Sequence, residues 1–380
     1  MNRTENPVAP LPDLTDLHLD VAALTARLLD VYSVSDHEQQ IADLVEQALR
    51  RLERLEVERH GDALVARTRL GRDTRVILAG HLDTVPLPTV EGARGTVPSA
   101  WDGDTLYGRG AVDMKSGVAV QLALAGRYGC AGGPEPVHDI TWVFYDHEEV
   151  DSARSGLARI ARQAPGLLEG DFAVLLEPTD GVVEGGCNGT CRYRVRLSGV
   201  AAHSGRAWRG DNAIHRLAPL LGALAAYEPA TVTVEGLDYR EGLHAIRVHG
   251  GVAGNVIPDE AVVEVNYRFA PDKGLDEAHA HVREVFAAAG VDWDTQVEVT
   301  DASPSARPGL DRPAAAAFVA AVGGEPKPKY GWTDVARFSQ LGVPAVNFGP
   351  GDALLAHTDD EHVHREAVED CRYALIAWLD

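Results

Sequence analysis

The segment Arg75-Val76-Ile77-Leu78-Ala79-Gly80-His81-Leu82-Asp83 decides how the chain is interpreted. Its first five residues form a short, mainly apolar run that ends at a glycine, which is typical of a buried β-strand. A histidine and an aspartate two residues apart follow directly, and such a pair suits a metal ligand and the carboxylate that orients its ring. We therefore expect a strand that presents metal-binding side chains at its carboxyl end.

The segments on either side alternate between helical and strand-like patterns. Helices are predicted over residues 21–29, 37–52, 116–125 and 155–162, and strands over residues 140–145 and 172–176. This alternation predicts an α/β fold, a largely parallel sheet covered by helices.

Between about residues 190 and 300 the pattern changes. Half-exposed strands are predicted over residues 192–197 and 261–267, and helices over residues 212–226 and 276–288. This mixture indicates a smaller inserted α+β domain. Helices over residues 314–322, 335–341 and 365–379 and a strand over 345–348 then resume the first pattern. We therefore expect a catalytic domain built from residues 1–189 and 301–380, interrupted by an insertion of residues 190–300.

Composition excludes several classes of function. The 380 residues include 35 Lys and Arg against 57 Asp and Glu, so the net charge of -22 disfavours nucleic acid as a partner. An anionic substrate would need local positive charge from metal ions or arginines.

No apolar stretch approaches the roughly 20 residues that span a bilayer, and residues 1–7 lack the apolar core of a signal peptide, so we expect no membrane partner and a cytoplasmic protein. The four cysteines are expected to be free thiols.

Acids and histidines follow the predicted strands where open α/β sheets build their sites. Glu148 and Glu149 follow the strand at 140–145, Glu177 ends the strand at 172–176, and Asp113 lies in a glycine-flanked turn. Each residue alone is more often an ordinary turn or surface residue. Together with His81 and His357 they supply enough ligands for two divalent ions, with Asp113 as the candidate bridge. Of the adjacent glutamates, one can bind metal while its neighbour acts as general base.

Six motifs carry a resemblance to a known family over nearly the whole chain. They are Gly80-His81-Leu82-Asp83-Thr84-Val85-Pro86, Tyr107-Gly108-Arg109-Gly110-Ala111-Val112-Asp113-Met114-Lys115-Ser116-Gly117, Glu148-Glu149, Glu177-Pro178-Thr179, Gly254-Asn255-Val256-Ile257-Pro258 and Phe348-Gly349-Pro350-Gly351. The chain resembles the M20 family of metal-dependent amidohydrolases and peptidases.

The resemblance implies a role for each candidate residue. One Zn²⁺ would be held by His81 and Glu177 and the other by Glu149 and His357, with Asp113 shared and Co²⁺ able to substitute at one site. Glu148 would be the general base, and Asp83 would orient the ring of His81.

Three histidines lie near the C-terminus, and a sequence motif decides which of them is the candidate metal ligand. His357-Thr358-Asp359-Asp360-Glu361 matches the family's His-x-x-x-Glu pattern, whereas His362 and His364 do not.

For the insertion, the resemblance implies a ferredoxin-like dimerisation domain and therefore a homodimer. His203 and Asn255 would reach the neighbouring subunit's active site, where His203 would donate to the oxyanion. Arg268 would bind a substrate carboxylate through its guanidinium, and Thr333 would donate its hydroxyl to substrate. Without the resemblance, His203 and Arg268 would be read as ordinary exposed residues.

Within the family, the chain resembles an actinobacterial branch, which implies hydrolysis of the small anionic amide N-succinyl-LL-2,6-diaminopimelate in lysine and diaminopimelate biosynthesis. It departs from proteobacterial relatives in two places: Cys187-Asn188-Gly189-Thr190 replaces an Arg-Arg-Gly-Ser segment, and Trp332-Thr333-Asp334-Val335 replaces Gly-Thr-Ser-Asp. Substrate contacts cannot be copied at these positions.

Two alternatives remain open. An N-acetylornithine deacetylase, or another amidohydrolase or peptidase of the family, would use the same metals and base. A non-catalytic zinc-dependent binding protein is a third reading, which the intact Glu148 disfavours because binding needs no base.

Overall fold

The computed structural model describes residues 13–17 and 20–380, so the expectation drawn from residues 1–7 lies outside the described residues. The chain divides into two compact units. Unit 1 contains the residues up to Gly185 together with Gly309–Lys327 and Arg337–Asp380, and unit 2 contains Gly186–Pro308 and Pro328–Ala336. The predicted insertion, residues 190–300, falls within unit 2, and the predicted domain limits stay a prediction.

The helices of the described residues are α1 (Val21–Leu29), α2 (Gln39–Leu49), α3 (Lys115–Gly129), α4 (Gly156–Gln163), α5 (Ala213–Arg216), α6 (Ala218–Ala225), α7 (Leu275–Ala288), α8 (Trp293–Gln296), α9 (Pro313–Val322), α10 (Val335–Gln340) and α11 (Arg365–Leu379). The strands are β1 (Glu56–His60), β2 (Ala63–Arg67), β3 (Arg75–His81), β4 (Ala100–Asp102), β5 (Thr105–Tyr107), β6 (Asp139–Tyr145), β7 (Phe172–Leu175), β8 (Glu184–Gly185), β9 (Gly189–Ser198), β10 (Ala202–His203), β11 (Thr231–Val234), β12 (Leu237–Arg240), β13 (Gly242–Gly250), β14 (Val256–Ile257), β15 (Glu260–Phe269), β16 (Val297–Ser303), β17 (Lys327–Pro328), β18 (Ala345–Asn347) and β19 (His362–His364).

An eight-stranded sheet organises unit 1, in the order β1-β2-β6-β3-β7-β18-β8-β17. Its central strands β6, β3, β7 and β18 are parallel, whereas β1, β2 and β8 pair antiparallel with their neighbours. The prediction of a largely parallel sheet is confirmed for this centre. At one edge of the sheet, β1 and β2 form an antiparallel hairpin. The turn of this hairpin passes through Gly61 at φ +67°, a conformation that glycine adopts without strain.

Apolar packing fixes this sheet and its helices in unit 1. Every residue of β6 is buried, as the uninterrupted apolar run of a strand covered on both faces requires. Helix α3 is buried on nearly all sides because small residues such as Gly117 and Gly126 let it approach its neighbours closely. A fully buried leucine such as Leu122 stabilises the fold by roughly 1.5–3 kcal/mol.

A four-stranded antiparallel sheet, β13-β15-β9-β16, organises unit 2. Along β9 the odd-numbered residues from Cys191 to Leu197 are buried in a core shared with α6 and α7. The helical prediction over residues 212–226 is confirmed in its range but not as a single helix, because the chain forms α5 and α6 with a break at Leu217. Pro219 explains the break, since proline has no N–H and suits the first turn of a new helix.

None of the helices in the described residues is both long enough and apolar enough to cross a membrane.

Candidate metal centre

Neighbouring strands of the unit 1 sheet bring the predicted ligands to one edge. His81 is the last residue of β3, Glu148 and Glu149 follow the end of β6, and Glu177 follows the end of β7. Because β3, β6 and β7 are parallel, their carboxyl ends meet at the same edge of the sheet. Asp113 lies two residues before the start of α3 and joins them there.

Two overlapping groups of potential metal ligands result. His81, Asp113 and Glu177 form one group, and Asp113, Glu149 and His357 form the other, with the ligand atoms of each group within 4.8 Å of one another. Asp113 belongs to both groups and uses a different oxygen for each histidine. Its Oδ1 lies 3.0 Å from Nε2 of His81, and its Oδ2 lies 3.2 Å from Nε2 of His357. This is the arrangement that a bridging carboxylate requires.

Electrostatics couple these side chains tightly. The carboxylates of Asp113 and Glu149 raise the pKa of His357 to about 10 through hydrogen bonds. Burial acts to lower the pKa of His81, but its bonds to Asp113 and Asp83 raise it well above the usual value. Burial, and next the charge of Asp113, raises the pKa of Glu149. The positive charge of protonated histidines thus offsets the negative charge of the crowded carboxylates. Divalent cations can offset the same negative charge when the ligands lose their protons.

Asp83 ties the ligand strand to the glutamate pair. Its carboxylate accepts hydrogen bonds from the backbone N–H groups of Glu148 at 3.0 Å and Glu149 at 3.1 Å, and from Oγ of Ser35 at 2.8 Å. Nδ1 of His81 lies 3.0 Å from the backbone carbonyl of Asp83 and 3.5 Å from its carboxylate. With Nδ1 held in this way, Nε2 of His81 faces the ligand group. Asp83 therefore orients the ring and the glutamate backbone together.

Glu361 supports the site, although no role was predicted for it from the sequence. Its Oε1 accepts from the backbone N–H groups of Val112 at 3.1 Å and Asp113 at 3.2 Å, while Nη1 of Arg109 donates to Oε2 at 2.8 Å. Both side chains of this ion pair are buried. The signal for Glu361 was its place at the end of the His-x-x-x-Glu motif, and the pair fixes the turn that carries Asp113.

A second unpredicted carboxyl group supports the loop after β6. Oε1 of Glu38 accepts from the backbone N–H of His147 at 3.2 Å, directly before the glutamate pair. Glu38 is buried, and this burial raises its pKa to about 7. Its sequence context, a helical pattern next to other polar residues, carried no signal of this contact.

The remaining predicted site residues all lie in unit 2. His203 ends β10, and the backbone carbonyl of Asn255 accepts from Ser204, so the two predicted residues are neighbours. Nδ1 of the exposed His203 accepts from the N–H of Gly205 at 3.0 Å, so a neutral ring carries its hydrogen on Nε2 and can donate it. Arg268 lies on β15, and Thr333 is buried with its carbonyl accepting from the thiol of Cys187 at 3.8 Å.

The fold and the ligand groups define an α/β protein whose shared carboxylate lies at the carboxyl edge of a parallel sheet. Comparison with known proteins makes this specific, since the profile of peptidase family M20/M25/M40 matches residues 77–380. The chain belongs to this family, and the resemblance inferred from its motifs is confirmed.

Two curated relatives match nearly the whole chain. A protein of Mycobacterium tuberculosis named putative succinyl-diaminopimelate desuccinylase DapE is 53% identical over 92% of this chain and 95% of its own length. A succinyl-diaminopimelate desuccinylase of Corynebacterium glutamicum is 44% identical over 96% of this chain and 97% of its own length. Among solved structures, an M20 family metallo-carboxypeptidase from Sulfolobus solfataricus shares the fold, with a TM-score of 0.75, 14% identity and coverage of 95% of this chain and 98% of that one.

Proposed function

We propose that this protein hydrolyses the amide of N-succinyl-LL-2,6-diaminopimelate, releasing succinate and LL-2,6-diaminopimelate for lysine and diaminopimelate biosynthesis. The observation that carries the reaction class is the sharing of Asp113 between two ligand groups, next to a glutamate that belongs to neither group. The substrate is supported by the names of the two relatives and by their 53% and 44% identity to the chain.

The donor set fits two Zn²⁺ ions. Imidazole nitrogens and carboxylate oxygens are zinc ligands, and each group supplies one histidine and two carboxylates, which leaves a position for water or substrate. His81, Asp113 and Glu177 would hold one ion, and Asp113, Glu149 and His357 the other. Co²⁺ shares these ligand preferences and could replace Zn²⁺ at one site.

When bound, the two ions supply Lewis-acid polarisation of the amide carbonyl and make water more acidic. Glu148 then takes a proton from the attacking water on its carboxylate and passes it to the nitrogen of the departing amine. Its position depends on Asp83, which accepts from the Glu148 N–H at 3.0 Å. In the proposed homodimer, His203 of the partner subunit would donate its Nε2 hydrogen to the oxygen of the former carbonyl as that oxygen gains negative charge.

Substrate recognition in this proposal uses Arg268 for a carboxylate, Asn255 of the partner subunit for a polar group and the Thr333 hydroxyl as a donor. Positive charge is needed because the protein carries a net charge of -22. Arg268 suits this role because its guanidinium matches a carboxylate in a bidentate geometry.

A homodimer is part of the same proposal. Strand β13 is an edge of the unit 2 sheet and exposes two large apolar side chains, Ile246 and Val248. An edge strand of this kind offers unpaired backbone groups and apolar surface to a second copy of the chain. The biosynthetic role goes with a cytoplasmic location, which stays a prediction.

A paired assay tests the proposed function. Purified protein with Zn²⁺ is expected to release succinate from N-succinyl-LL-2,6-diaminopimelate far faster than acetate from N-acetylornithine, with Zn²⁺-free protein as the control. The reverse preference would overturn the substrate assignment. Release of neither acid by the metal-loaded protein would overturn hydrolysis of these amides.

A further inference from the structure

Five arginines lie on the face of the unit 2 sheet opposite its helices, and we call this surface the arginine face. They are Arg192, Arg194 and Arg196 on β9, Arg247 on β13 and Arg268 on β15. Their even-numbered neighbours on β9 and β15 share this face, because the odd-numbered residues of both strands pack in the helix-covered core.

Three of these arginines have close glutamate partners. Arg194 lies 3.0 Å from Glu298 and 3.5 Å from Glu264, and Arg247 lies 3.4 Å from the same Glu264. Arg196 lies 2.5 Å from Glu260. At this end of the arginine face, positive and negative charges balance.

The other two arginines are poorly matched. Arg192 has one ion pair, a long one of 3.7 Å to Asp301, and Arg268 makes no ion pair with any carboxylate among residues 13–17 and 20–380. Burial, and next the positive charge of Arg192, lowers the pKa of Arg268. A half-buried guanidinium beside a second cation is unfavourable unless an anion offsets it. Together Arg192, Arg268 and Asp301 carry one net positive charge, which a single carboxylate would neutralise.

Strand register brings Arg192 and Arg268 close to each other on the arginine face. Arg192 is paired with Asn266, and Arg268 follows two residues later on β15, so the arginines are diagonal neighbours on one face. Long side chains at such positions reach each other. Between them, Nδ2 of Asn266 donates to Oγ1 of Thr190 at 2.9 Å and to the carbonyl of Cys191 at 3.1 Å, which fixes the amide in place.

We propose that Arg192 and Arg268 together form a carboxylate-binding site, in which Arg192 is a specificity residue for a substrate carboxylate remote from the scissile amide. This inference rests on the proposed function and extends it to a residue outside the family motifs.

The test compares Arg192→Gln with a matched control, Arg194→Gln. The control removes an arginine from the same strand and the same face, but one whose charge Glu264 and Glu298 already balance. Arg192→Gln is expected to raise KM for N-succinyl-LL-2,6-diaminopimelate by about tenfold or more while kcat changes less than about threefold, because a charged hydrogen bond to bound substrate is lost. Arg194→Gln is expected to leave both constants near those of the wild type, and Arg192→Lys to recover part of the loss.

A second arm identifies the carboxylate. Three substrate analogues, each with one carboxylate converted to the neutral amide, are assayed with wild type and with Arg192→Gln. For one analogue the KM ratio between the two proteins is expected to fall towards one, because the contact is already missing. An equal ratio for all three analogues would indicate that Arg192 acts only through the fold, and would overturn the inference.

Failure of this inference can be told apart from failure of the proposed function. If wild type hydrolyses the substrate and Arg192→Gln does so with an unchanged KM, the two-arginine site is wrong and the proposed function stands. If wild type releases no succinate, the proposed function is wrong. Binding of the same tricarboxylate to the Zn²⁺-loaded wild type and to Arg192→Gln is then compared by calorimetry. Weaker binding by Arg192→Gln is the expected result, and equal binding by the two proteins would overturn the two-arginine site.

Discussion

The metal centre of unit 1 and the Arg192–Arg268 pair of unit 2 differ in how closely their charges are matched by partners. In the metal centre, Asp83 accepts from two backbone N–H groups and a serine hydroxyl, and Glu361 accepts from two more and from Arg109. Of the two arginines, Arg192 has a long ion pair of 3.7 Å to Asp301, and Arg268 has no carboxylate partner among the described residues.

Because of this difference, mutations in the two regions should affect different measured properties, stability in one and ligand binding in the other. A group that is held by several protein partners contributes to the fold as well as to the chemistry, so its loss should be visible in stability measurements. A charge without a close partner contributes little to stability, and its loss should be visible only when the ligand binds. Five substitutions test this distinction, and the first has the largest expected effect.

Asp113→Asn should have the largest effect on activity. The amide can present one oxygen where the carboxylate presents two, so the ligand shared by both groups is lost. We expect kcat/KM for succinate release to fall by roughly 10⁵-fold, with a lower metal content by elemental analysis. Asp370→Asn, an exposed acid on α11, is the control. Normal metal content together with normal turnover would show that Asp113 is not shared.

Glu148→Gln separates proton transfer from metal binding. The variant keeps the backbone N–H that Asp83 accepts, but it has no carboxylate to take the proton. We expect kcat to fall by about 10³-fold with an unchanged metal content. If turnover were unchanged, the base would lie elsewhere, and if the metals were lost, Glu148 would be a ligand. Glu169→Gln, on the surface of unit 1, controls for removal of a glutamate charge.

Glu361→Gln tests the claim that the metal centre is held by the fold. The change leaves the buried guanidinium of Arg109 without its counter-charge, which typically costs about 3 kcal/mol. We expect a clear fall in the thermal midpoint of the metal-free protein, whereas the exposed Glu366→Gln should leave it unchanged. Equal midpoints for the two variants would contradict the role given to the Arg109–Glu361 pair.

Arg268→Gln tests the opposite claim for the Arg192–Arg268 pair. Because Arg268 has no carboxylate partner among the described residues and its burial disfavours the charge, its removal should not lower the thermal midpoint. We expect KM to rise by about tenfold to a hundredfold with little change in kcat. A large loss of stability would mean that Arg268 is structural and that the contrast between the two regions is wrong.

Glu38→Gln gives the smallest expected effect, through pH. The pKa of Glu38 is raised by burial to about 7, so its contribution to stability is present below pH 4.5 and is lost as the pH rises through about 7. Between pH 5 and pH 8 the metal-free wild type should therefore lose about 2 kcal/mol relative to Glu38→Gln. Urea unfolding at both pH values measures this difference. The exposed Glu91→Gln should show no such trend, and a pH-independent difference for Glu38→Gln would contradict the prediction.

Much of the fold could be predicted because unit 1 is built from strong periodic patterns. Helices over residues 21–29 and 365–379 were predicted with the observed limits of α1 and α11, and the buried strands β3, β6 and β7 within one or two residues. Strand β13 was missed because a bulge between Ala245 and Arg247 breaks its alternation. Strand β1 was missed because it is a mostly polar edge strand.

Some residues of the site could be predicted from local sequence patterns, whereas contacts between residues distant in sequence could not. His81, Glu148, Glu149 and Glu177 could be found because each follows an apolar run. Asp113 could be found from its glycine-flanked turn, and motif similarity selected His357 among the C-terminal histidines. The supporting contacts could not be found in this way. Glu38 meets His147, and Glu361 meets Arg109, across more than a hundred residues of chain, and no local pattern records such a meeting.

The double grip of Asp83 has a consequence for how this protein could be redesigned. Because the Asp83 side chain contacts both the ring of His81 and the backbone of Glu148 and Glu149, it fixes the orientation of the ring and the position of the loop after β6. A shift of either one would therefore disturb the other. Variation in the acyl group that is accepted would then have to be sought in residues that Asp83 does not touch. A designer who wants a new amide cleaved should leave residues 81–83 and 147–149 untouched and randomise β9 and β15 instead.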